Sequence, residues 1–300
     1  MRRGIVSSPN RPEWKRNPNS LFETNHNSFD SPHGESQGDG LKGTLKSRSI
    51  KSLYKLALAE GEGVGTAYEY FAKRLVLRRW LAGARQPKRV LLPGLPEKYG
   101  SSLDFFLLAK ELEAAQLVAI DDRPAAVEKA RANLLAAQRI GELTGLTAEF
   151  ALVSDLGKLN ELNGFDLCLS SEVIQRLGAE KRKSYIQGLK GSASAFALFT
   201  PNGNNPSHTN ISGLSGLRLD ELQSLMSSTA TPAKMGYIDM PPFPPGITRS
   251  AEQRTEAAGG RLEAIAMWGL GYHARLEPYF PGSWRQHRSH IVYALSSAAR

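Results

Sequence analysis

The chain has 300 residues, 41% apolar and 22% charged, a balance that points to a globular protein and away from a disordered or fibrous one. No run approaches the ~18 uninterrupted apolar residues that a membrane helix needs. The single cysteine, Cys168, excludes an internal disulfide and a thiolate metal framework.

The net charge is +9, and the whole excess lies before Val90. Residues 1–50 hold eight basic and five acidic side chains, residues 51–89 nine and three, and the rest equal numbers of each. Such a lobe suits an anionic partner, phosphate or lipid; a solvated helix face plus a tail is the plainer reading. No aromatic-basic module accompanies it, so nucleic acid is not expected. Met1-Arg2-Arg3 is followed by no apolar segment, which makes a cytoplasmic protein the expectation.

Residues 1–48 are rich in Asn, Ser, Pro and Gly and read as a disordered tail. Residues 49–88 read as a basic helical segment. Its first helix carries Ile50, Leu53, Tyr54, Leu56, Ala57 and Leu58. After Gly61, Gly63 and Gly65, Thr66 with Glu69 has the spacing of a capping box. The helix that follows sets Tyr68, Phe71, Ala72, Leu75 and Leu81 on one side, with Lys73, Arg74, Arg78 and Arg79 on the rest.

From Arg89 the period changes. Strands are expected at 89–92, 117–120, 150–153, 165–170 and 195–200, with helices at about 103–114, 124–139 and 181–189 between them. This alternation predicts a parallel sheet with right-handed crossovers. The stretches Leu262–Trp268 and His290–Leu295 read as two closing strands, at least one antiparallel. Loop insertions are expected near 201–216 and 230–255, the second around Pro241-Pro-Phe-Pro-Pro245. The fold class is therefore α/β: a Rossmann-like, doubly wound, mostly parallel seven-stranded sheet with an antiparallel last strand, over residues 89–300.

A nucleotide-like ligand on such a sheet needs close backbone approach after the first strand and a carboxylate after the second. Gly94 and Asp121 hold those places. Asp121 is equally suited to cap the helix that starts near Pro124, and Asp155 to form a turn before Gly157. His208, in the loop after the fifth strand, is a candidate general base, although a loop histidine is more often simply exposed. His287 and His290 alone are weak evidence for metal, and no metal site is expected. Cys168 lies mid-strand and reads as inert core.

The order of these segments resembles the class I S-adenosylmethionine-dependent methyltransferases. The resemblance rests on Asp121-Asp122-Arg123-Pro124, on Phe165 to Leu177, and on Phe196-Ala-Leu-Phe-Thr-Pro201-Asn202. It implies S-adenosyl-L-methionine as cofactor, with Asp121 on the ribose hydroxyls, Asp122 beside it, Asp155 near the adenine and Gly94 beside the methionine part. Ser170, Ser171 and Glu172 would line the pocket near the sulfonium. The first loop departs from the pattern: Leu92 or Pro93 stands where an acid is expected, and Pro96 and Lys98 stand in glycine-like places. Glu97 is the candidate replacement acid. Gln175-Arg176 replaces the Glu-His often found there. The implied function is methyl transfer to a small-molecule or lipid-like acceptor. The alternative is a catalytically inactive binding or scaffold protein, favoured by the proline-laden loop. A dinucleotide oxidoreductase is disfavoured because the loop lacks G-x-G-x-x-G.

Overall fold

The computed structural model describes residues 45–227, 234–243 and 261–297; most of the expected tail lies outside them. The first helix, α1 (Ile50–Ala59), starts at Ser49, whose hydroxyl accepts from the Ser52 backbone N–H while Ser52 reaches back to Ser49. The next helix, α2 (Val64–Trp80), is capped by Gly63, so Thr66 lies inside it and the expected capping box is not formed. Glu69 instead pairs with Lys73 one turn on. Lys73 and Arg74 are buried, not part of a solvated face; Arg78 and Arg79 are exposed.

Seven strands follow: β1 (Arg89–Pro93), β2 (Gln116–Asp121), β3 (Glu149–Leu152), β4 (Phe165–Ser171), β5 (Ala193–Pro201), β6 (Lys234–Ile238) and β7 (Ile291–Ser297). Their order is β3-β2-β1-β4-β5-β7-β6. Strands β1 to β5 run parallel, and β7 is antiparallel to both β5 and β6. Alternation along each strand splits the core. Leu92, Ala119, Leu169 and Phe199 face α1, α2, α3 (Leu103–Glu111) and α4 (Pro124–Arg139). Leu91, Ile120, Cys168 and Leu198 face α5 (Ala179–Ser192) and α7 (Leu219–Ser227). A sheet covered on both faces explains why its strands read as continuous apolar runs.

Three local expectations differ. Pro206–Ser212 forms a short helix, α6, inside the stretch expected as a loop; Asn205 caps it by accepting from His208 N. The penultimate strand is β6, not Leu262–Trp268. That segment belongs to α8 (Arg261–Leu276). Its buried positions, Met267, Gly271 and Ala274, recur at helical spacing. A last helix, α9 (Gly282–Arg288), precedes β7.

Candidate functional site

Parallel strands deliver their exits to one edge of the sheet, the place where open α/β sheets bind ligands. Chain reversal after β1 is made by Gly94, at φ 107°. Its N–H donates to the carbonyl of Ile120 at 2.9 Å. Leu95 N then donates to Asp121 Oδ2 at 2.7 Å, tying the β1 and β2 exits together.

Asp121 is fully buried. Its Oδ1 also accepts from the backbone N–H and Nε of Arg123 at 2.9 and 2.8 Å. Its Oδ2 accepts from Nη2 of Arg123 at 3.1 Å and Nη2 of Arg176 at 3.0 Å. Arg123 Nη2 further donates to the Leu95 and Pro96 carbonyls at 2.8 and 3.1 Å. Arg176 Nη1 donates to Asp122 at 2.9 Å. Burial alone would raise the Asp121 pKa, but the hydrogen bonds from Arg123 and Leu95 and the nearby guanidinium charges hold it below its ordinary value.

This geometry tests the fit of a nucleoside. The carboxylate that would accept ribose hydroxyls is met by two guanidinium groups and two backbone N–H groups. In this arrangement the chain's own donors occupy both oxygens of Asp121, so a ribose would have to displace a guanidinium. Asp155 stands apart: it caps the 3₁₀ turn Leu156–Glu161 by accepting from Gly157 N at 2.9 Å, and also meets Lys181 at 3.3 Å. Its pKa is lowered, chiefly by the Gly157 N–H. Glu97 accepts from Gln175 at 3.3 Å.

At the β4 exit, successive side chains take opposite faces. Ser170 meets the Tyr185 hydroxyl at 2.8 Å, and Tyr185 donates to the Pro93 carbonyl. Ser171 accepts from Lys73 at 2.7 Å. Glu172 is held at φ 54°, buried, with no partner for Oε2 among the described residues. Burial and the Glu69 charge push its pKa up to about 8, against the opposing pull of Lys73. Lys73 packs 5.4 Å from the Phe105 ring centroid and 5.7 Å from that of Phe199. Although burial pulls its pKa down, Glu69 and Asp104 raise it, so it is charged.

A second buried polar group lies where β6 leaves the sheet and β7 enters it. Asp239, at φ 65°, faces His290 Nδ1 at 3.2 Å. The His208 ring stacks on His290, centroids 4.1 Å apart and 11° from parallel. Burial and the neighbouring His290 push the His208 pKa down to about 3. For His290, burial works downward but Asp239 prevails and raises the pKa. Of the two rings, His290 is therefore the stronger base. Glu277 accepts from the Tyr68 hydroxyl at 2.5 Å and from Met240 N at 2.7 Å.

The structure thus gathers Gly94, Glu97, Asp121 and Asp122 around the β1–β2 crevice. Ser171 and Glu172 lie under α2, and His208 beside β7. Lys73, Asp239 and Glu277 do not stand out in the sequence as site residues, and His290 is weighed there only with His287 as a metal pair. The one signal for Lys73 in the sequence is Glu69 four residues before it, on a basic helix where Lys73 falls between Tyr70-Phe71-Ala72 and Leu75.

Strand order decides the fold: five parallel strands with β7 inserted antiparallel between β5 and β6. The sheet is that of the class I S-adenosylmethionine-dependent methyltransferase fold. Solved structures similar to the chain include a SAM-dependent methyltransferase from Archaeoglobus fulgidus, at 11% identity and TM-score 0.45 over 75% of this chain and 92% of that one. The plantazolicin methyltransferase BpumL, in complex with SAH, matches at 14% identity and TM-score 0.46 over 83% and 98%. Magnesium protoporphyrin IX methyltransferase from Synechocystis PCC 6803, with bound SAM, matches at 13% and 0.41 over 77% and 80%. No family model and no curated protein sequence matches the chain. Among the described residues, no helix is long and apolar enough to cross a membrane, and no cluster of His, Cys, Asp or Glu could hold a metal ion.

Proposed function

We propose that the chain is an S-adenosylmethionine-dependent methyltransferase acting on a small-molecule or lipid-like acceptor. The observation that supports this is the strand order, with Gly94 and Asp121 joined through Leu95 N at the exits of β1 and β2. Such a cofactor supplies an activated methyl group when bound, and a protein contributes mainly alignment. On the β4–β7 half, His290 is partly exposed and paired with buried Asp239, which makes it the candidate to orient an acceptor.

One observation favours a second reading, a non-catalytic binding protein that keeps the fold: Arg123 and Arg176 occupy the acceptor atoms of Asp121. Calorimetric titration with S-adenosylmethionine, S-adenosylhomocysteine and NAD separates the readings. Saturable binding of the first two, without NAD, supports the methyltransferase. No binding of either adenosyl ligand supports the second reading.

A further inference from the structure

We propose that the outer face of α8 and α9 docks on an anionic lipid bilayer. The inference stands apart from the methyl-transfer reading, since it uses none of the residues of the crevice.

Helix α8 is amphipathic in an unusual sense. Met267, Gly271 and Ala274 are buried, and Gly271 lies against the Phe71 ring of α2. The opposite side, where a surface helix ordinarily carries polar residues, presents Ile265, Trp268, Tyr272 and Leu276. Tyr279 and Trp284 continue this apolar series beyond the helix. Trp268 is 70% exposed, Ile265 66% and Tyr279 83%. Trp268 and Tyr272 contact each other, ring centroids 5.4 Å apart, and with Ile265 and Leu276, one turn to either side, they form a patch along the helix. A contiguous apolar surface of this kind marks an interaction site.

Charge selects the occupant. From Ala264 to Ser289 the chain has one carboxylate, Glu277, and it is buried; the other acid of α8 is Glu263, in its first turn. The cation Arg288 is exposed; Arg275 is exposed in part, its guanidinium lying 4.8 Å from the Phe71 ring centroid and donating to the Gly271 carbonyl. Helix α2, which packs on α8, adds exposed Arg78 and Arg79. Trp and Tyr rings near arginines, with no exposed acid among the described side chains from Ala264 to Ser289, match the boundary between headgroups and acyl chains. Negative lipid attracts such cations over about a Debye length. A second copy of the chain fits less well, because pairing the face with itself would set arginines against arginines.

The test uses the full chain. It is sedimented with phosphatidylcholine vesicles and with vesicles carrying about a third phosphatidylserine, alongside Trp268→Ala/Tyr272→Ala. The expected result is binding to the anionic vesicles that is weakened by added salt, with at least a tenfold loss of partitioning in the double variant and an unchanged melting temperature. The inference is overturned if the double variant binds as well as the parent, which would assign binding to the basic lobe alone. Failure of the parent to bind either vesicle also overturns it. So does a self-association, measured by sedimentation equilibrium, that the double variant abolishes without any vesicle binding; that would assign the face to a second copy.

Discussion

Arg123 closes on Asp121 with Nε 2.8 Å from Oδ1, while its Nη2 holds the carbonyls of Leu95 and Pro96. One side chain thus stitches the β1 loop to the β2 exit and covers the carboxylate on which a ribose would depend. The methyltransferase reading therefore requires this arginine to move.

Replacing Arg123 by alanine should release one side of Asp121. A ligand that must first break a charge-assisted hydrogen bond gives up roughly 1.5–3 kcal/mol. Arg123→Ala is accordingly expected to bind S-adenosylhomocysteine about tenfold or more tightly than the parent, measured by calorimetry. Unchanged affinity in a parent that does bind would show that Arg123 is no obstacle. No binding by either protein would favour the non-catalytic reading.

Lys73 lies beneath Ser171 and Glu172 and is 2% exposed. Lys73→Met keeps the aliphatic volume but leaves Glu69, Asp104 and Glu172 without their central cation. Removing one partner of a buried charge pair costs about 3–5 kcal/mol. A solvated lysine would cost at most about 0.5 kcal/mol. Urea unfolding distinguishes the two, and a loss under 1 kcal/mol would contradict the buried placement.

Gly94 has no space for a side chain: a Cβ there would lie 2.8 Å from both γ carbons of Val173, at φ 107°. Gly94→Ala should lose about 2–4 kcal/mol, combining overpacking with backbone strain. Adding Val173→Ala should recover the steric part only. If the double variant is no better than the sum of the singles, the Val173 contact is not the cause.

The parallel half of the fold is legible in the sequence because its strands are short apolar runs separated by helices of regular period. Gly94 and Asp121 are legible because they sit where such strands end. The other half is harder. Among the described residues β6 pairs only with β7, and its burial alternates only partly from Lys234 to Ile238. Gly236 within it interrupts any strand-like run, and the Tyr293 ring fills the space beside it. Leu262–Trp268 misleads because Ile265 and Trp268 are apolar yet exposed, so the run looks like a buried strand when only one face of a helix is buried. The polar groups of the β4–β7 half join residues far apart in the chain, Lys73 with Ser171 and Tyr68 with Glu277. No spacing rule reaches across such separations, and a basic helix reads as solvated until its neighbours are known.

Those buried carboxylates make stability depend on pH. Glu172 has its pKa raised to about 8, Asp104 to about 7 and Glu277 to about 7, burial being the largest cause in each. Around Glu172 stand Glu69 and Lys73 from α2, Glu62 from the preceding turn and Glu97 from the β1 loop. A carboxyl with a raised folded pKa binds its proton more tightly in the native state than in the unfolded chain. Its contribution is fully present below the unfolded value near 4.5 and is lost as pH rises through the folded value. Stability should therefore fall from about pH 4.5 to about pH 8 and level off above that, and a loss of about 2 kcal/mol lowers Tm by roughly 4–8 °C in a domain of this size. Glu172→Gln keeps the shape and cannot ionise, so its Tm should decline less steeply over the same range. If parent and Glu172→Gln decline in parallel, the buried carboxyl at the β4 exit is not the group that titrates, and Asp104→Asn and Glu277→Gln become the variants to compare.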